Sequence, residues 1–249
     1  MLSLALEPSL SGEDTGGESG SVVYDQKFSS EAALVEKLSR SLISSLSQHT
    51  VEVIPEFETA NGIADLVVTR LRRDWRQSVI HRLPPAWAYT FRCLPYRASF
   101  TTELVAALAG VTTATARAAL KQFCAAGLCE PAAARSRWMK VVQPRPIANE
   151  IVSIEAKLRD WRKAFFQANR YRAYSTQSWV VMDAACAAPA ARNLDVFRVK
   201  NIGLAVVSSR SGLTVLHEPR KEAAWDPIAY WRANVEIGLR LRKTSRYTL

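Results

Sequence analysis

Two periodicities organise the chain. From Ser29, leucines recur at every fourth position (Leu34, Leu38, Leu42, Leu46), which lines one face of an amphipathic helix. Ser29 or Ser30 suits its N-cap, and Glu31 suits the positive end of the helix. The segments VEVIPEFE (51–58) and GIADLVVTR (62–70) are rich in β-branched residues and flank the turn-forming TANG, so they predict a strand pair. EIVSIEAKL (150–158) predicts another strand, leading into a helix over about 160–174. WVVMD (179–183) and GLAVVSS (203–209) predict further short strands, with residues 190–200 helical between them. The second turns through Arg210, Ser211 and Gly212 into LTVLHE. The C-terminal WDPIAYWRANVEIGLRLR predicts a helix that docks Trp225, Tyr230 and Trp231 on the core.

Over 82–142 this alternation of strands and helices stops. PPAWAYTFRCLPY starts with prolines that suit the first turn of a helix. FTTELVAALAGVTTATARAALKQFCAAGLCE then predicts an alanine- and leucine-rich helix at Thr102–Ala109, a Gly-Val turn and a second helix capped by Thr112 or Thr113. After Gly127, CEPAAARSRWMKVV suits a small β wing with Arg135 and Arg137 at its tip. This stretch resembles a winged helix-turn-helix. The resemblance implies that the N-terminal residues of the second helix, Thr112, Thr113, Thr115 and Arg117, face base edges or phosphates, and that the wing reaches the backbone.

Composition narrows the classes. The 249 residues are 48% hydrophobic and 22% charged, with a mean hydropathy of -0.06, which supports a sizeable core and excludes a chain disordered throughout. No apolar run approaches the roughly 18 residues that span a bilayer, and residues 1–10 lack the basic start and apolar stretch of an export signal, so the expectation is a soluble, cytoplasmic protein with no membrane partner. Cys93, Cys124, Cys129 and Cys186 form no CxxC, and His49, His81 and His217 show no spacing for a triad or metal centre, so reduced core cysteines are expected. The net charge of +10 understates the contrast along the chain, because residues 1–26 hold five acids and no Lys or Arg, leaving the rest at +15. That tail is too polar to order itself, and the remainder predicts a polyanionic partner, DNA ahead of an anionic membrane. The interval 82–145 alone carries nine basic residues, among them Arg117, Lys121, Arg135, Arg137 and Lys140, against Glu103 and Glu130. These five, with Thr112, Thr113 and Thr115, are the candidate DNA contacts.

The candidate chemistry lies on the strands. Alternation sends Val152, Ile154, Ala156 and Leu158 to one face of EIVSIEAKL and Ser153, Glu155 and Lys157 to the other. In GIADLVV, Ala64, Leu66 and Val68 share a face and Asp65 falls opposite, a mid-strand acid that is costly to bury without a partner or a metal. Asp65 and Glu155 offer hard oxygen ligands for Mg²⁺, with Lys157 beside them to position water or balance charge on a phosphate.

An Asp, then Glu-x-Lys, on strands that follow an acid-bearing helix resembles the PD-(D/E)XK nuclease superfamily over residues 29–218, apart from the inserted segment. The resemblance implies a restriction-endonuclease-like αβββαβ core with a mixed four-stranded sheet and metal-dependent phosphodiester hydrolysis. By position, Asp65 and Glu155 match the metal-binding acids and Lys157 the catalytic lysine. Glu31 matches the glutamate that some members carry on the first helix, with Glu36 as the alternative register. Gln167 and Tyr171, in QANRY, reproduce the Q-x-x-x-Y spacing of RecB-like members, and four apart on a helix they share a face. The sequence departs from the pattern at Ala64, where the eponymous motif has proline, and in the 90 positions between Asp65 and Glu155, which the inserted segment explains.

The expectation is therefore an α/β chain with a disordered acidic tail (1–26), a nuclease-like core (27–81 and 146–249) and an inserted winged helix (82–145). It would cut DNA with Mg²⁺ or Mn²⁺. The competing reading is a non-catalytic DNA-binding regulator or architectural protein on a nuclease-like scaffold, and the winged helix would also accommodate a homodimer or a protein partner.

Overall fold

The computed structural model describes residues 27–45, 50–134 and 136–245. The acidic tail, Leu46 and Arg135 at the expected wing tip lie outside them. In chain order the first elements are α1 (Glu31–Ser45), β1 (Val51–Thr59), β2 (Gly62–Leu71), α2 (Ala88–Cys93), β3 (Ser99–Thr101), α3 (Thr102–Ala109) and α4 (Thr113–Ala125). Then come β4 (Cys129–Pro131), β5 (Arg137–Lys140), β6 (Ala148–Lys157), α5 (Trp161–Tyr171) and β7 (Gln177–Asp183). The chain closes with α6 (Ala188–Ala191), α7 (Leu194–Val199), β8 (Gly203–Ser208), β9 (Gly212–His217) and α8 (Pro227–Ser245). Contacts divide it into two compact units: one runs up to Leu71 and again over Glu150–Trp225, the other comprises Arg72–Asn149 and the segment from Asp226 onward.

The first unit is built on a six-stranded mixed sheet of order β1-β2-β6-β7-β8-β9, two strands wider than the four the resemblance implies. β1 and β2 are antiparallel, β6, β7 and β8 run parallel, and β9 returns antiparallel at the far edge. Asp65 of β2 bonds Ala156 of β6, while Arg70 pairs with Glu150, so β2 and β6 run in opposite directions. The leucine stripe of α1 (Leu34, Leu38, Leu42) covers one face of the sheet over Leu66, Val68, Val152, Ile154, Ala156, Trp179 and Val181. On the other face, Trp161, Ala164, Phe165 and Ala168 of α5 pack with Phe197 of α7 against Val180, Met182 and Leu204. Ser30 caps α1 by accepting from the Ala33 N–H, and Asp160 caps α5 by accepting from that of Lys163. Trp179 lies over Gly203 on the neighbouring strand, where an added Cβ would come within 2.3 Å of the indole.

In the second unit, α3 and α4 are joined by a turn in which Gly110 adopts φ +64, and their axes meet at 107°. Thr101 and Thr112 cap the two helices with their hydroxyl oxygens. A three-stranded antiparallel sheet of order β3-β5-β4 adjoins them. Residues 72–81 and the C-terminal helix, expected in the core, belong instead to this unit, where α8 packs on α2 and on the turns Ile80–Arg82 and Pro85–Trp87. Asn234 and Tyr230 of α8 bond the main-chain N–H and C=O of Ala148. Periodicity shows that a helix has an apolar face but not which partner will cover it.

Lys140 requires a correction. Expected at the DNA, it is fully buried, and its ammonium donates to the carbonyls of Phe91 (3.1 Å) and Arg92 (3.2 Å) in the last turn of α2, with the Phe91 ring 5.4 Å away. A lysine at a helix C-terminus satisfies carbonyls that have no partner within the helix. Burial first, and then the Arg92 charge, lower its pKa to about 8 from the ordinary 10.5. Between those values the unfolded chain holds the proton and the folded chain does not, so this group makes stability rise with pH through that window. Denaturant melts at pH 7.5 and pH 10 are expected to show a gain of roughly 2 kcal/mol that Lys140→Met lacks. Equal pH dependence in both proteins would show that the ammonium is not desolvated.

Candidate carboxylate and lysine site

Asp65 and the Glu155–Lys157 pair, far apart in sequence, meet because β2 and β6 are neighbours. The face of β6 opposite Ile154 carries Glu155 and Lys157, as alternation predicts, and Lys157 Nζ lies 2.9 Å from Glu155 Oε1. Asp65 arrives from β2, where its Oδ2 accepts from the Ala156 N–H at 2.7 Å and lies 3.8 Å from Lys157 Nζ. Glu31, at the start of α1, completes the ring of acids with Oε2 3.1 Å from the same ammonium. Glu36 instead pairs with Arg40 in an exposed helical pair, so of the two acids it is Glu31 that reaches Lys157.

Glu155 is the most deeply placed of these acids, with a side chain only 2% exposed. Its second oxygen meets the Tyr171 hydroxyl at 2.9 Å, and that hydroxyl is shared with the main-chain carbonyl of Ile63. Gln167 lies one turn earlier on α5, on the same side as Tyr171. Its Oε1 is buried with no hydrogen-bond partner among the described residues. The Q-x-x-x-Y pair thus abuts the acids through Tyr171.

Electrostatics follow from burial. Desolvation, then repulsion from Asp65, raises the Glu155 carboxyl above its ordinary 4.5, although Lys157 and Tyr171 pull the other way. Asp65 is likewise raised above 3.8 by burial, against the Ala156 hydrogen bond and Lys157, with Glu31 and Glu56 adding repulsion. For Lys157, burial disfavours the ammonium, but the hydrogen bond to Glu155 and the charges of Asp65 and Glu155 outweigh it, so its pKa is raised. Lys157 is therefore a cation at neutral pH, suited to balancing negative charge rather than to taking a proton from water.

Glu56 was not among the expected residues. The pairs Pro55↔Leu66 and Phe57↔Ala64 place it opposite Asp65 across the β1–β2 hairpin, and its backbone is left-handed at φ +47. The signal was present in the sequence: pairing two strands across the tight Ala60–Asn61 turn sets Glu56 against Asp65.

Among the expected DNA contacts, Thr112 at the cap of α4 and Thr113, Thr115, Arg117 and Lys121 along it are exposed. Arg137 is exposed on β5, where its guanidinium holds the hydroxyl and carbonyl of Ser99. The four cysteines are free, and of them Cys129 alone is buried, so the expected set of core cysteines reduces to one. Among the described residues no group of three or more His, Cys, Asp or Glu is arranged to hold a metal ion, and no single helix is long and apolar enough to cross a membrane. No family model, curated protein or solved structure matches the chain.

Proposed function

We propose that the chain is a metal-dependent DNA nuclease of the PD-(D/E)XK type, with Asp65, Glu155 and Lys157 as its working residues. The observation that carries this reading is the convergence of those three side chains on adjacent strands, 90 positions apart in sequence for the two acids. The order α1–β1–β2–β6–α5–β7 supports it, because it reproduces αβββαβ once the second unit is set aside. So does the contact between Tyr171 and Glu155.

The donor set fits Mg²⁺ or Mn²⁺. Asp65 and Glu155 supply hard carboxylate oxygens, and Mg²⁺ is commonly held by one or two carboxylates with waters and a phosphate completing its shell. When bound, the ion would supply Lewis acidity and an activated water. The chain's own residues do the positioning. The Ala156 N–H orients Asp65, Tyr171 orients Glu155, and Glu31 holds Lys157, whose charge offsets what builds on the phosphate. The test is incubation of the full chain with single-stranded, duplex and branched DNA and with RNA, with and without Mg²⁺. Products that require the metal support the assignment, and no cleavage of any substrate overturns it. One observation favours the non-cutting alternative: Lys157 pairs with Glu31, Asp65 and Glu155 at once and so offsets part of their negative charge itself.

The second unit would act as a winged helix that grips duplex DNA, because a capped helix with exposed Thr113, Thr115, Arg117 and Lys121 follows a turn of helix-turn-helix geometry. Arg117→Ala and Lys121→Ala are each expected to weaken duplex affinity and to reduce the slope of log K against log salt by about 0.9. Titrations at several salt concentrations check this. Unchanged slopes in both variants would turn the helix toward a protein partner or a second copy of the chain.

A further inference from the structure

The outer face of α5 carries a feature that the carboxylate site does not use. Phe166 is 67% exposed, an unusual position for a large aromatic ring beside a polar site. Its ring is held edge-on by Phe165 at 6.0 Å, and Phe165 is in turn packed on Phe197, so the exposed aromatic stands on a rigid base. Around it are Arg159, Arg162, Lys163 and Arg170, all exposed, and among the described residues none of the four is in an ion pair. The single acid of this stretch, Asp160, is engaged as the helix cap. Arg162 lies over the Trp161 ring at 4.9 Å.

This face adjoins the site. Phe166 precedes Gln167 and Arg170 precedes Tyr171, so the pair Phe166 and Arg170 runs beside the pair that reaches Glu155. The Arg170 guanidinium lies against Gly62 at the start of β2, where an added Cβ would sit 3.3 Å from it, and the next residue, Ile63, is 54% exposed.

We infer that this face is a binding track for single-stranded DNA, with Phe166 stacking on an unpaired base and Arg159, Arg162, Lys163 and Arg170 following the phosphates. The charge is complementary to a polyanion, and a flat exposed ring asks for a partner with an accessible π-face. A duplex hides its base faces in the stack, whereas a single strand presents them. The inference rests on the nuclease reading in that it names the strand form delivered to the acids, and it goes beyond that reading by assigning the recognition to residues outside them.

The test is fluorescence anisotropy of a short labelled oligothymidylate with the full chain in EDTA, so that no cutting occurs and the result does not depend on Asp65 or Glu155. Phe166→Ala is expected to weaken binding about tenfold. Its circular dichroism melt should match wild type, since the ring is mostly exposed. Phe166→Trp is expected to keep the affinity, and its added emission should be quenched on binding. An Arg162→Ala, Arg170→Ala double variant should lose affinity with a shallower salt dependence. Unchanged binding by Phe166→Ala, or an unquenched Phe166→Trp, overturns the stacking role. Heparin has no bases, and an equal loss of heparin affinity in Phe166→Ala would also overturn it. Loss of cutting in Glu155→Gln together with intact Phe166-dependent binding would separate the two readings.

Discussion

Glu155→Gln is expected to lower the proposed metal-dependent DNA cutting by about a hundred- to a thousandfold, the scale on which removal of one preorganised charge-stabilising group acts. The amide keeps the volume of a side chain that is 2% exposed, so the core beneath it is not opened. What disappears is the negative charge that pairs with Lys157 and would face the cation. Asp65→Asn should act in the same direction, and Lys157→Arg should not restore full activity, because a planar guanidinium places its charge differently from an ammonium. Lys157→Met carries a different hazard: it leaves Glu155 buried beside Asp65 without its counterion, and breaking a buried pair costs about 3–5 kcal/mol. Its melting curve must be read before its rate. Duplex affinity should be largely retained in Glu155→Gln and Asp65→Asn, since the proposed duplex contacts lie in the other unit.

The same variants have a readout without substrate. Mg²⁺ bound only by the folded state must raise the melting temperature of the wild type, and this rise should be absent in Glu155→Gln. Protons compete with the metal for both carboxylates. Because burial raises Asp65 and Glu155 above 3.8 and 4.5, the metal-dependent rise should be lost on acidification at a higher pH than ordinary carboxylates would set. Wild-type cutting by purified, folded Glu155→Gln and Asp65→Asn would remove the assignment of the site.

The second large effect concerns the division of the chain. Replacing Arg72–Asn149 with a short Gly-rich link while also ending the chain after Trp225 is expected to leave a folded first unit. The excised segment connects two antiparallel neighbours, β2 and β6, and loop-closure cost grows only slowly with length, so a tight link in its place is not unfavourable. The sheet loses only Ala148 and Asn149 at the start of β6, and both of its helical coverings survive. Duplex affinity should fall about a hundredfold with the loss of the Arg117 and Lys121 surface. Removing Arg72–Asn149 but keeping α8 should behave differently, because Trp231, Val235 and Ile237 lose their partners on α2 and its flanking turns. That protein is expected to aggregate. Circular dichroism with thermal melting and light scattering distinguishes the two outcomes. An unfolded product from the shorter chain would mean that the sheet depends on the excised unit.

Several features are legible from neighbours along the chain alone. The strict alternation in β6 puts Glu155 and Lys157 on one face and Ile154 on the other whatever the surroundings, because successive side chains of a strand point oppositely. Leucine at every fourth position commits α1 to one apolar face. Gly110 and Thr112 mark the turn between α3 and α4 by conformational freedom and by capping. These are local properties, set by backbone geometry within a few residues.

Long-range packing selects the rest. Glu36 has Arg40 one turn on along the same helix, a local pair, but that Glu31 reaches Lys157 is decided only when α1 is docked. Lys140 carries the same formal charge as Arg137 in a basic run, yet the fold buries one against the carbonyls of α2 and leaves the other exposed. Alpha helix 8 is apolar along much of its length in either grouping, and its partner is set by the surface that α2 presents. Asp65 and Glu155 lie far apart in the chain and come together only because a sheet places β2 beside β6. Periodicity specifies what each element must bury, and which surface buries it is chosen by the whole chain at once.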